Sequence, residues 1–199
     1  MRVAVVDYGA GNIRSVLGAL ERLGAEGELT ADPERIHSAD RVIFPGQGEA
    51  RTAMRNLTAA GLVPVLKSLT QPFLGICLGM QLLARHSEEG DTTCLGVFDL
   101  TVRRFPPTSG KVPLMGWLDQ ATSAADCPLF RGLPDAFYAY FVHSYYVSLG
   151  PETAATATYG LPFSAALWRG NTYAVQYHPE KSAAAGQRLL DNFLKAPCV

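Results

Sequence analysis

The sequence has no long apolar run, no cluster of like charge and few charged residues of either sign. Charged side chains make up 18% of its 199 residues, 17 basic against 18 acidic, for a formal charge of −1. Without a Lys/Arg cluster there is no footprint for nucleic acid or for an anionic membrane surface. No apolar stretch approaches the roughly 20 residues of a membrane-spanning helix. Residues 3–6 are too short for a signal-peptide core, so a cytoplasmic location is expected. Cysteine is scarce as well. Cys77, Cys94, Cys127 and Cys198 form no Cys-x-x-Cys pair, and none has a histidine at ligand spacing. That argues against a structural metal site, and neither metal nor cofactor is expected.

What is present is an ordinary globular composition, 48% hydrophobic, in a chain long enough to bury roughly 70% of its unfolded surface without staples. One domain over residues 1–199 is expected, with no repeat and no low-complexity linker. Residues 2–7 read as a short apolar strand ending in the turn Asp7-Tyr8-Gly9-Ala10-Gly11-Asn12. Ile13, Val16, Leu17, Leu20 and Leu23 then recur at helical spacing, and Gly24 closes the helix. Further strands are predicted at 26–30, 41–44 and 72–76, with helices at 50–59, 62–69 and 78–86. Short, nearly all-apolar strands between helices imply a mostly parallel sheet covered on both faces. After residue 94 the texture changes. Segments 95–105, 112–118, 137–147, 154–159, 163–169 and 172–177 are rich in Val, Thr, Tyr and Phe and read as an antiparallel extension, closed by a helix over 182–195.

The informative local pattern is Gly75-Ile76-Cys77-Leu78-Gly79, placed where strand gives way to helix. This is nucleophile-elbow spacing with cysteine in place of serine. The chain reverses sharply there, and glycines on either side remove Cβ atoms that would clash. The thiol then projects at a helix N-terminus, which favours thiolate. Taken alone, the same spacing also fits a packed turn with an inert thiol. Cys94 and Cys127 lack flanking glycines, and Cys198 lies in the tail.

Of four histidines, His37 and His86 read as surface residues and His143 as a half-buried strand residue. His178 is followed by Pro179 and Glu180. Pro179 biases His178 towards extended geometry, and i and i+2 of an extended chain share a face. Glu180 can then take a hydrogen bond from one imidazole nitrogen and leave the other for a thiol, the orienter role in a triad. The loop Pro45-Gly46-Gln47-Gly48 follows a predicted strand. Its glycines let backbone N–H groups turn towards a neighbouring site, and the N–H of Leu78 is the second donor of an oxyanion hole in elbow architecture.

With these residues in place the chain resembles the class I (triad) glutamine amidotransferases essentially end to end. The motifs include the opening turn, Pro45-Gly46-Gln47-Gly48, the elbow continuing into Met80-Gln81, Met115-Gly116-Trp117, Phe141-Val142-His143-Ser144-Tyr145 and His178-Pro179-Glu180-Lys181-Ser182. Within the class it is similar to subunits that pass ammonia to a separate (β/α)8-barrel cyclase in histidine biosynthesis. That resemblance implies the class I fold, with Cys77, His178 and Glu180 as the triad and a glutamyl thioester as intermediate. It also implies glutamine contacts from Gly48, Gln81, Glu89, His143, Ser144 and Tyr145, an oxyanion hole from Gly46, Gln47 and Leu78, and a partner surface near Asn12, Trp117 and Lys181. The cyclase it implies releases imidazole glycerol phosphate and an aminoimidazole carboxamide ribotide. Two positions depart from the pattern: Gln47 replaces a small aliphatic residue, and Leu114 stands where the family often has histidine. Three competing readings are the glutaminase of pyridoxal phosphate synthase, a stress protein with a cysteine elbow, and a binding module that has lost catalysis.

Overall fold

Apolar residues at every position of a short strand need cover on both faces. The computed structural model, which describes residues 1–9, 12–124 and 126–198, provides that cover. Ala10 and Gly11 of the opening turn lie outside the described residues. In chain order the first strands are β1 (Arg2–Val6), β2 (Glu26–Thr30), β3 (Arg41–Phe44), β4 (Phe73–Ile76), β5 (His86–Ser87) and β6 (Thr92–Thr93). They are followed by β7 (Thr101–Arg104), β8 (Leu114–Thr122), β9 (Ala136–His143), β10 (Tyr145–Val147), β11 (Thr153–Tyr159), β12 (Leu161–Arg169) and β13 (Thr172–Val175). The helices are α1 (Ile13–Arg22), α2 (Pro33–Ser38), α3 (Ala50–Ala59), α4 (Leu62–Lys67), α5 (Leu78–Leu83) and α6 (Ala183–Leu194).

Strands β2-β1-β3-β4-β13 lie side by side, and every pairing among them is parallel. Alternate residues feed opposite cores. Val3, Val5, Leu74, Ile76, Tyr173 and Val175 join the core that holds α1 and α6. Ala4, Val6, Phe73 and Ala174 join the core that holds α3 and α4. This two-sided burial is why these strands carry no polar alternation. Beyond β13 the sheet turns antiparallel through β12, which also pairs with β10 and β11, while β11 leads to the long β8–β9 hairpin. The expected architecture, a mostly parallel centre flanked by helices with an antiparallel extension, is the one observed.

Three local expectations need correction. The helix after Cys77 ends at Leu83 instead of running to residue 86. The carbonyls of Leu82, Leu83 and Ala84 accept from Leu95, Phe98 and Gly96 N–H groups, which takes them out of the helical ladder. The same contacts leave 95–100 irregular, with Leu95, Phe98 and Leu100 buried, so the strand expected over 95–105 is only Thr101–Arg104. Helix α2 was not expected, although Asp32 caps it by accepting from the Glu34 N–H at 2.9 Å and Pro33 opens it.

Candidate active site

Parallel strands all end on one edge, and that edge gathers the chemistry. Tyr8 follows β1, the Pro45–Gly48 loop follows β3, Cys77 follows β4, and Gln176 and His178 follow β13. The carboxyl-terminal edge of an open α/β sheet is where such folds bind ligands. Because β13 and β4 run in register, with Val175 opposite Ile76, the Cys77 N–H donates to the Val175 carbonyl at 2.8 Å. The segment that carries His178 thus emerges beside Cys77.

Cys77 has φ 54° and ψ −110°, a left-handed conformation that an L-residue adopts only under strain, at a cost of roughly 1–3 kcal/mol. Close packing of the elbow holds it there. A Cβ on Gly79 would clash with the Phe44 carbonyl oxygen, and one on Gly46 would lie 2.9 Å from Leu78 Cβ and 3.0 Å from the Gly79 nitrogen. The end of β3 and the start of α5 therefore interlock through glycines. Tyr8, which the sequence reading did not single out, anchors the loop by donating from its hydroxyl to the Pro45 carbonyl at 2.9 Å. Gln47 and Gly48 are exposed. Among the described residues none accepts the backbone N–H of Gln47 or of Leu78.

His178 Nδ1 meets Glu180 Oε1 at 2.8 Å, with the side chains 2% and 1% exposed. The geometry differs from the extended pair expected, since Pro179–Lys181 form a 3-10 turn. Proline at its first position lacks an N–H that would go unused there, and the turn still brings the carboxylate back onto the imidazole. Nε2 has no hydrogen-bond partner among the described residues, and His178 lines the same cavity as Cys77. Burial opposes a charge on His178, but Cys77 and Glu180 outweigh it and hold the imidazolium well above its ordinary range. Asn12, expected near a partner surface, donates from Nδ2 to Glu180 Oε1 at 2.7 Å.

A cavity of about 420 Å³ opens beside this pair. It is lined by Gln47, Gly48, Gln81, Glu89, Ser144 and Lys181, together with Cys77, Leu78 and His178. Gln81 Nε2 donates to the Tyr145 carbonyl at 2.8 Å and to Gln176 Oε1 at 3.0 Å, which leaves its carbonyl oxygen as what it can offer a ligand. Gln176 in turn points Nε2 at the Cys77 sulfur, 3.8 Å away. It shares strand parity with His178, and that signal could have found it. Glu89 Oε2 accepts from the Ala50 N–H at 2.8 Å; burial raises its carboxyl, that bond pulls it back, and Glu49 adds to the rise. Tyr140, Val142 and Pro113 also line the cavity and were not foreseen. Trp117 stands outside the cavity, 49% exposed, with its ring 6.0 Å from Tyr140.

His143 borders the cavity, but its ring sits against Phe105, Phe141 and Phe163, with Nδ1 donating to the Tyr145 carbonyl at 2.7 Å. Burial pushes its pKa down from 6.5 to about 4; the Tyr145 bond opposes this and His178 adds to it. The folded value is the lower one, so the unfolded chain takes up this proton first. The associated stability is present above pH 6.5 and is lost as the pH falls towards 4, about 3 kcal/mol in all. His143→Phe should flatten the dependence of unfolding free energy on pH across that window. An unchanged slope in urea titrations would refute the assignment. Among the other thiols, burial pushes Cys94 and Cys127 up to about 12, with Glu89 adding to the rise at Cys94 and the Leu129 N–H opposing it at Cys127. Neither is a nucleophile at neutral pH.

A family model described as "Glutamine amidotransferase class-I" matches residues 4–196. The "Imidazole glycerol phosphate synthase subunit HisH" of Bacteroides thetaiotaomicron is 55% identical over 196 residues, covering 98% of this chain and 99% of that one. The protein of the same name from Yersinia pseudotuberculosis is 46% identical over 98% of this chain and 100% of its own. A crystal structure of a glutamine amidotransferase superposes with a TM-score of 0.75 at 24% identity, over 97% of each chain, a likeness of fold.

Proposed function

The chain belongs to the class I glutamine amidotransferases, and from that premise we propose that Cys77, His178 and Glu180 hydrolyse the side-chain amide of glutamine. It is the glutaminase subunit of an imidazole glycerol phosphate synthase and serves histidine biosynthesis. The observation that carries the catalytic reading is Cys77 at φ 54°, on the same sheet edge as a His178–Glu180 pair bonded at 2.8 Å.

The Cys77 thiolate attacks the amide carbon, and the oxygen that becomes negative is met by the N–H of Leu78 and by one from the Gly46–Gln47 loop. His178 gives its proton to the departing nitrogen, which leaves as ammonia and a γ-glutamyl thioester. His178 then takes a proton from water, whose oxygen attacks the thioester and releases glutamate. Glu180 keeps the imidazole in the tautomer that presents Nε2. Gln81, Glu89, His143 and the Ser144–Tyr145 backbone hold the amino-acid end, Gly48 closes over it, and no cofactor takes part.

The ammonia acceptor belongs to a partner, proposed as a (β/α)8-barrel cyclase. Its docking surface is the outer face of the β8–β9 hairpin, where Met115, Trp117 and Tyr138 are 66%, 49% and 64% exposed. Val142 and Tyr140, opposite Met115 and Trp117, carry that face to the cavity, where Lys181 stands exposed at the rim. The Pro45–Gly48 loop can aim either a carbonyl or an N–H at the thioester site, and losing one oxyanion donor costs about 10²–10³ in rate. The isolated chain should therefore release glutamate slowly, and the cyclase with its substrate should accelerate release by about that factor. Glutamate production by the chain alone, with cyclase, and with cyclase plus substrate is the test. Equal rates in all three would eliminate the gating, and no glutamate in any would eliminate the glutaminase reading.

A further inference from the structure

Helix α1 starts at an asparagine that does not cap it. Asparagine at this position ordinarily accepts a hydrogen bond from a backbone N–H one turn in. Asn12 makes no such bond, and its backbone, at φ −6° and ψ 28°, lacks the extended geometry of a cap. Its side chain instead reaches a residue 168 positions away, with Nδ2 donating to Glu180 Oε1 at 2.7 Å. We infer that Asn12 is a positioning residue for the reaction: it fixes the Glu180 carboxylate, and through it the ring of His178, in line with Cys77.

The hydrogen bonds form a directed chain. Ser15 Oγ donates to Asn12 Oδ1 at 2.6 Å, Asn12 Nδ2 donates to Glu180 Oε1, and His178 Nδ1 donates to the same oxygen at 2.8 Å. Ser15 sets the direction of the amide, because turning it over would put Asn12 Oδ1 against a carboxylate oxygen. Glu180 is 1% exposed in its side chain, and its Oε2 has no partner among the described residues. Asn12 is thus the one group among them, apart from His178, that bonds the carboxylate. An amide suits the task because it directs the carboxylate without neutralising it, and the negative charge remains to stabilise the imidazolium. A lysine or arginine would hold Glu180 as firmly and cancel that charge.

This inference rests on the triad reading above, so its test separates the two. Glutamate release by the complex with cyclase is followed across pH for the wild type, Asn12→Leu, Asn12→Asp and Ser15→Ala. Alkylation of Cys77 by iodoacetamide is measured across pH in the isolated chains. Asn12→Leu keeps the bulk and removes the donor. It should lower kcat by about 10–100-fold with KM little changed, since misplacing a catalytic group by about 1 Å costs that much. It should also move the alkaline limb of alkylation upward, because a carboxylate relieved of its donor stabilises the imidazolium more. Asn12→Asp can donate only while the new carboxyl is protonated, so its activity should recover towards wild type at the acid end of the range. Ser15→Ala should cost several-fold. An Asn12→Leu enzyme with wild-type kcat and an unmoved alkylation profile overturns the inference. So does a loss that appears only as weaker cyclase binding, or an Asn12→Asp enzyme that is no better than Asn12→Leu at any pH. A wild-type complex that releases no glutamate refutes the triad reading instead.

Discussion

Cys77→Ala is expected to abolish glutamate release, a loss of about 10⁴-fold or more, with the melting temperature and the binding of cyclase retained. In the proposed reaction the thiol is the group that bonds to the substrate carbon, and no other thiol can replace it: Cys94 and Cys127 are buried on other parts of the chain with their pKa values pushed up to about 12, and Cys198 is exposed near the carboxyl end of the chain. Its structural ties are weak. They are contacts of 3.8 Å from Gln176 Nε2 and 3.9 Å to the Val142 carbonyl. The complex of the variant should still make product when free ammonia is supplied, because only ammonia production is removed. His178→Ala should be about as damaging, since nucleophile and base act as a unit, whereas Glu180→Gln should cost less. Steady-state glutamate assays with glutamine, and cyclase assays with ammonium salt, check all three. Undiminished glutaminase turnover in Cys77→Ala would move the nucleophile elsewhere.

Gly79→Ala should be the most damaging single methyl group in the elbow. The added Cβ would lie far inside van der Waals contact of the Phe44 carbonyl oxygen and 3.0 Å from its carbon. That neighbour is strand backbone in a fully buried residue, so no side chain can rotate out of the way. Either α5 backs away from β3 or the elbow unwinds, and both separate Cys77 from the oxyanion loop. We expect a destabilisation of about 3–5 kcal/mol, a fall in Tm of roughly 10 °C, and loss of activity even in molecules that remain folded. Gly18→Ala is the control. Gly18 lies inside α1, and a Cβ there would meet only Arg22 Nη1 at 3.7 Å. Replacing it should leave Tm unchanged or raise it slightly, by the helix preference for alanine. A Gly79→Ala protein that melts with the wild type would show that the close packing at the elbow is not needed.

The features legible in the sequence were those that near-neighbour sterics dictate. Residues 2–7, 41–44 and 72–76 read as short, nearly all-apolar strands, and the cores on both sides of the sheet are built on them. The glycines about Cys77 announced a turn too tight for any other residue, and the structure puts Phe44 where a side chain at Gly79 would go. His-Pro-Glu predicted a bonded pair, though the pair closes across a 3-10 turn. Segment 95–100 was misread because its Leu and Phe residues are buried by irregular backbone that ties down the end of α5, and apolar content alone does not distinguish that from a strand. The Asp32-Pro33 start of α2 is present in the sequence, but a helix of six residues is too short to show an apolar period.

By itself the sequence determined which groups are the candidates for chemistry: a thiol on an elbow, an imidazole with its carboxylate, and a glycine loop. These depend on a few consecutive residues whose backbone choices are limited by steric clash. Only the tertiary structure decided which groups meet. The order β3-β4-β13 sets the Pro45–Gly48 loop, Cys77 and His178 side by side. The meeting of Tyr8 with Pro45, of Gln81 with Gln176 and of Asn12 with Glu180 joins residues 37, 95 and 168 positions apart. Strand order and helix docking are settled by burying both faces of the sheet at once, a property of the whole chain that no local pattern encodes.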